Sequence, residues 1–143
     1  MAGPAQGAPA GYSGTPLPRK LGIKPGHAVA VLGAPEGFAP GLAALSGADV
    51  AEGLTGSGPL DVIVTFVRWR EELESQLPGL RSRMAPACGL WIAWPKRAAK
   101  VPTDMTDHVV REVALPTGLV DNKSAAIDQV WTGMRLVIRR ELR

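Results

Sequence analysis

Apolar residues in this chain come in short, separated runs whose period changes from one to the next. Residues 27–32 (HAVAVL) have the composition of a strand, ended sharply by the GAPEG segment at 33–37. Residues 60–67 (LDVIVTFV) are nearly continuous in apolar and β-branched side chains, the pattern of a strand buried on both faces. Residues 48–51 and 90–94 (LWIAW) predict two more strands, the second closed by Pro95. Trp91 and Trp94 lie an odd number of residues apart, which places them on opposite faces of their strand.

Helical period appears between these strands. Leu73, Leu77, Leu80 and Met84 recur on one face of a helix predicted over 69–84. Glu71, Glu72 and Glu74 come early in it and Arg81 and Arg83 late, as the helix dipole prefers. Pro78 and Gly79 predict a kink or two shorter pieces, and Pro86 and Gly89 the turn that follows. A short helix is predicted over 38–45. Another starts at a cap, Thr103 or Thr106, carries Met105, Val109 and Val113 on one face and stops before Pro116. Residues 119–127 and 134–138 predict a closing antiparallel pair, with WTGMR at 131–135 as a turn whose tryptophan caps the core.

Strands alternating with helices imply right-handed crossovers and a parallel sheet. The predicted fold is a three-layer, Rossmann-like α/β sandwich: a mostly parallel sheet of five or six strands with a C-terminal antiparallel hairpin. Residues 1–11, mostly Ala, Gly and Pro, predict a disordered tail. Residues 12–26 form an N-terminal arm, and 27–143 a single domain.

Composition agrees with one globular unit. The 143 residues are 45% apolar and 20% charged, which excludes wholesale disorder. No apolar run approaches the ~20 residues of a membrane span, and no basic-then-apolar leader opens the chain. Cys88 is the sole cysteine, so an internal disulfide is excluded and a reducing compartment, the cytoplasm, is expected. The net charge of +3 is uneven: residues 1–95 hold seven Lys/Arg against seven Asp/Glu, and 96–143 nine against six. That is too sparse for a dedicated nucleic-acid binder, so nucleic acid is not an expected partner. It suits a small anionic ligand.

The order of elements is similar to a trimmed S-adenosylmethionine-dependent methyltransferase fold, which ends in the same helix–strand–strand arrangement. Against the usual seven strands, one is short between Ala51 and Leu60. YSGTPL at 12–17, KLGIKPG at 20–26, LGAPEGF at 32–38, WPK at 94–96, LVDNK at 119–123 and WTGMR at 131–135 together resemble a bacterial family, a domain of unknown function. That resemblance covers residues 12–140 and implies no particular activity.

Ligands of parallel α/β sheets bind outside the carboxyl ends of the strands, at the topological switch point. The loop carrying Gly33, Pro35 and Gly37 is expected there. In methyltransferases of similar fold this loop is glycine-rich so that backbone can approach the cofactor; here the glycines equally permit a tight strand-to-helix turn. Glu52 follows Gly33 by close to the ~20 residues expected of a ribose-binding acid. Arg68, with Arg70, and Lys96, with Arg97 and Lys100, are candidate cations for a phosphate or carboxylate, or a solvated basic surface. Asp128 and Trp131 are expected at the rim, with Tyr12 folded over from the arm.

Catalytic constellations are sparse. His27, His108 and Cys88 lack metal-ligand spacing, and neither a nucleophile elbow nor a P-loop occurs. The leading expectation is therefore a non-catalytic binding or regulatory module for a small anionic ligand or a protein partner. The alternative is a small S-adenosylmethionine-dependent methyltransferase. A third reading is weak nucleic-acid binding through the basic last third.

Overall fold

The most continuous apolar run becomes the third of six strands in the computed structural model, which describes residues 15–143. The strands are β1 (Ala28–Leu32), β2 (Asp49–Glu52), β3 (Leu60–Phe66), β4 (Met84–Pro95), β5 (Leu119–Ala126) and β6 (Trp131–Ile138). They lie in the order β2-β1-β3-β4-β6-β5. β1 to β4 are mutually parallel, and β6 runs antiparallel between β4 and β5. The helices are α1 (Leu17–Leu21), α2 (Phe38–Ser46), α3 (Arg70–Ser82) and α4 (Asp107–Ala114). This is the three-layer α/β sandwich that alternating periods predict. The expected tail and Tyr12 lie outside the described residues.

Strand alternation divides the core in two. Val29, Val31, Val62, Val64, Phe66 and Trp91 face one layer, where α1 and α2 contribute Leu21, Ala39 and Leu42. Ala30, Ile63, Leu90, Ile92 and Trp94 face the other, against Leu73, Leu77 and Leu80 of α3 and Val110 and Ala114 of α4. Each buried leucine or isoleucine contributes about 1.5–3 kcal/mol by leaving water. Thr65 is buried under α3 and donates to Gln76 Oε1 at 2.7 Å. The two tryptophans separate as their spacing requires. Trp91 Nε1 donates to the Leu21 carbonyl at 3.0 Å, which fastens the N-terminal arm to the sheet.

Several boundaries differ from expectation. α3 is one continuous helix, because Pro78 and Gly79 sit on its exposed side while Leu73, Leu77 and Leu80 hold the other side down. Met84 leaves the helix and opens β4. Pro86 and Gly89 make no turn: Leu60 pairs with Met84 but Val62 with Gly89, so the extra β4 residues bulge out of the ladder. Thr106, not Thr103, caps α4, its side chain accepting from Val109 N at 3.1 Å. Trp131 to Arg135 is strand, not turn.

The connection from β2 to β3 is unusually short. A parallel crossover ordinarily needs a dozen or more residues and a helix. Here residues 53–59 pass over β1 with no helix, at the position of the strand missing from the seven that the resemblance implies. Ala28, Ala30 and Ala51 leave room for backbone, and a shallow groove of about 200 Å³ remains beside them. Leu54 is the connector's contribution to the core. Arg83 does the rest: it donates to the carbonyls of Thr55, Gly56 and Gly58 at 3.0, 3.2 and 2.8 Å. Its own carbonyl accepts from Leu60 N at 2.8 Å.

Two outcomes follow from this packing. Arg83→Ala is expected to lower the unfolding free energy by about 1–3 kcal/mol in urea titrations. Arg83→Lys should recover only part, because an ammonium lacks the planar fork. Cys88 is fully buried, and burial pushes its thiol from an ordinary value near 9 up to about 12, with the Asp61 charge adding and Arg135 opposing. A thiol kept neutral by folding stabilises fully below about pH 9, and that contribution is lost as pH rises toward about 12. Urea midpoints should therefore fall across that window, and iodoacetamide should label Cys88 in urea but not in the native protein.

Candidate functional site

The strand order reverses between β1 and β3, so the switch point lies at their carboxyl ends. There the chain leaves β1 through Gly33, at φ 66°, pressed against the end of β3. A Cβ at this position would stand 2.8 Å from the Phe66 carbonyl oxygen. Ala34, Pro35 and Glu36 form the projecting loop, and Gly37, at φ 83°, leads into α2. Phe38 N donates back to the Pro35 carbonyl at 3.1 Å. The amides of Ala34 and Glu36 donate to no group among the described residues.

Glu52 closes β2 directly beside this loop. It pairs in register with Val31, and Gly53 N donates to the Val31 carbonyl at 2.8 Å. Its carboxylate is exposed and has no hydrogen-bond or ion-pair partner among the described residues. Aromatic rings continue the edge on the other side. Phe38 meets Phe66 edge-on at 4.9 Å, and Phe66 meets Trp131 edge-on at 5.1 Å. Gly33, Pro35, Gly37, Glu52 and Trp131 thus gather along one edge.

The remaining expected residues have other work. Asp128 Oδ1 accepts from Val130 N and Trp131 N, both at 2.8 Å, and so builds the hairpin turn. Arg68 donates through Nε to the Pro102 carbonyl at 3.0 Å, with its guanidinium 5.4 Å from the Trp69 ring centroid. Arg70 is held by Glu74 and Glu112 at 2.9 and 2.7 Å, which raises its pKa and lowers that of Glu112. Lys96 is half-buried at the end of β4, its amide bonded to the Val130 carbonyl at 2.7 Å. These cations do not converge on one anion.

A larger groove, about 520 Å³, opens at the carboxyl end of β4, two strands from β1. Trp94, Arg97, Thr103, Met105, Ser124 and Thr132 line it. Of these, Trp94 and Arg97 lie in a segment expected at the cleft, and Thr103 was expected as a candidate helix cap. The signal available was the long connection at 96–106, which has neither strand nor helical period and is of the length that builds sites. His27 Nδ1 accepts from Lys24 N at 3.2 Å, and His108 lies on the surface of α4 beside Glu112. Among the described residues no group of three His, Cys, Asp or Glu is placed to hold a metal ion, and no helix is long and apolar enough to cross a membrane.

No protein-family model and no curated protein sequence matches the chain, so the family that its short motifs resemble is not shown. Solved structures do match. A SAM-dependent methyltransferase from Aquifex aeolicus superposes with a TM-score of 0.60 at 16% identity, over 84% of this chain and 87% of that one. Magnesium protoporphyrin IX methyltransferase from Synechocystis PCC 6803, with bound SAM, gives 0.62 at 14% identity, over 85% and 74%. The fibrillarin pre-rRNA processing protein of Methanococcus jannaschii gives 0.59 at 15% identity, over 81% and 68%. The expectation of a non-catalytic binding or regulatory module is overturned by these neighbours, which favour the methyltransferase alternative. At such identities the likeness is one of architecture: the chain has a Rossmann-like, methyltransferase-type fold.

Proposed function

We propose that this domain is a small S-adenosylmethionine-dependent methyltransferase, with the cofactor held at the carboxyl edge of β1 and β2 and the acceptor entering the groove at β4. The observation that carries it is the unpartnered Glu52 carboxylate, fixed by strand register beside the Gly33–Gly37 loop at the switch point.

The donor set suits the ligand. An exposed carboxylate accepts two adjacent ribose hydroxyls without prior desolvation. The Ala34 and Glu36 amides offer donors to a carboxylate, even though Pro35 between them has none. Phe38 and Trp131, both half-buried, give the edge aromatic surface that attracts a cation such as a sulfonium. When bound, S-adenosylmethionine supplies an electrophilic methyl group. The protein's part is to orient and to exclude water, which requires no metal or general base when the acceptor is already nucleophilic. Ser124 and Thr132 supply hydroxyls for positioning an acceptor in the groove, while the Thr103 hydroxyl is engaged with the Arg68 carbonyl and the Met105 amide.

Calorimetric titration of the full chain with S-adenosylmethionine and S-adenosylhomocysteine tests this reading. Micromolar binding is expected, weakened about tenfold or more (about 1.4 kcal/mol) in Glu52→Ala. That variant keeps the wild-type urea midpoint, since the side chain supports nothing in the fold. A substitution at Gly33 is unsuitable, because it collides with the Phe66 carbonyl. No heat at millimolar ligand, or equal binding by Glu52→Ala, overturns the assignment.

A further inference from the structure

The two faces of the sheet differ in how their charges are paired. The ion pairs of the described residues all involve Arg70, His108 or Arg111, on the α3–α4 side. None of these pairs lies on the side of α1 and α2, and neither helix contains an Asp or Glu.

A bulge in the closing hairpin creates this division. Asp121 pairs with Leu136 in register, but Lys123 pairs with Arg135, so Asn122 is an extra residue. Simple alternation would put Asp121 and Lys123 on one face, where they would offset each other. Instead Asp121 reaches Arg111 at 3.3 Å on the α4 side, and Lys123 turns to the opposite face. There it stands directly across from Arg135, with its Nζ 5.7 Å from the Trp91 ring centroid.

Like charges directly opposed across a ladder destabilise it, and two more cations follow β6 in sequence. Arg139 continues the alternation of Arg135 and Val137, its amide bonded to the Gly118 carbonyl at 2.9 Å. Arg143 donates to the Ile138 carbonyl at 2.7 Å and lies close enough to oppose the charge on Arg135. Arg135 is itself half-buried, laid across Gly89 so closely that a Cβ there would meet its Nε at 2.5 Å. Desolvation lowers its pKa, and no carboxylate is among the groups that act on it. A partly desolvated cation without a counter-ion is costly. An anion from outside would relieve that cost.

We propose that Lys123, Arg135, Arg139 and Arg143 form a docking surface for a nucleic-acid strand, held by its phosphates. Arg135 and Arg139 are ~13 Å apart along the strand, a span suited to a repeating polyanion rather than a single small one. Trp91 lies fully buried beneath the surface, so no ring stacks on bases there and binding is independent of sequence. The end of β6 lies at the edge of the sheet opposite Glu52. The surface therefore anchors a strand and does not itself present an acceptor, and it stands whether or not the domain transfers methyl groups.

Fluorescence anisotropy with a labelled single-stranded RNA of ~20 nucleotides, and DNA of the same sequence, tests the proposal. Four phosphate contacts give a log–log salt slope of about −3, so affinity falls roughly 50-fold between ~50 and ~200 mM salt. Lys123→Glu with Arg139→Glu, both at exposed positions, should weaken binding at least about tenfold and reduce the slope by about 1.4. The same charge change at Lys24 and Lys100, also exposed, should leave binding unaltered, as should Glu52→Ala. Matching urea midpoints show that each variant is folded, with Gln replacing Glu should the charge reversal unfold the chain. The proposal is overturned if neither strand binds at ~50 mM salt, or if both charge reversals weaken binding alike. It also fails if only vesicles containing phosphatidylserine are bound.

Discussion

The Trp91 indole sits where the parallel and antiparallel halves of the sheet meet, and its N–H finds its acceptor in the Leu21 carbonyl. A buried indole without a partner would cost as much as several good apolar contacts return, so the position of α1 is tied to that of β4. The ring also needs width. Gly133 faces it from β6, where a Cβ would lie 3.1 Å from the indole. From this arrangement follow the docking of the arm, the spacing of β4 and β6, and the burial of Trp91 beneath Lys123. Trp94, on the other face, helps to line the groove at the carboxyl edge.

How much of this was legible in sequence depended on how local the cause was. The runs 27–32, 60–67 and 90–94 declare themselves because a strand buried on both faces has little freedom in composition. Gly33 and Glu52 could be placed together because their separation is dictated by one strand–helix–strand unit. Pro86 and Gly89 misled, since a turn signal and a bulge signal are the same residues, and only the pairing of Leu60 with Met84 distinguishes them. Asp128 has a local task that the sequence did not declare: its Oδ1 accepts from two amides of its own turn. Ser124 and Thr132 carried no signal of a groove, being brought beside the 96–106 connection from distant parts of the chain.

Charge was the least legible property. Counting along the chain gives a small excess spread over the last third, and that count is correct. What it conceals is direction. One extra residue at Asn122 sends an acid and a base that are nearly adjacent in sequence to opposite sides of the sheet. The domain thereby acquires an ion-paired side and a side on which Lys123 and Arg135 have no carboxylate partner among the described residues. A modest net charge thus coexists with a strong local field.

The helix-free link between β2 and β3 has a consequence for association. Among the described residues β2 is the outermost strand on its side of the sheet, and such margins invite pairing with another copy and, from there, aggregation. This one is short, only Asp49–Glu52, with an exposed carboxylate at either end. A second copy aligning parallel and in register would bring Asp49 against Asp49 and Glu52 against Glu52. The trimming that shortened the sheet has therefore left a rim that repels its own kind. Glu52, besides facing the candidate cofactor site, is one of the two residues that guard it.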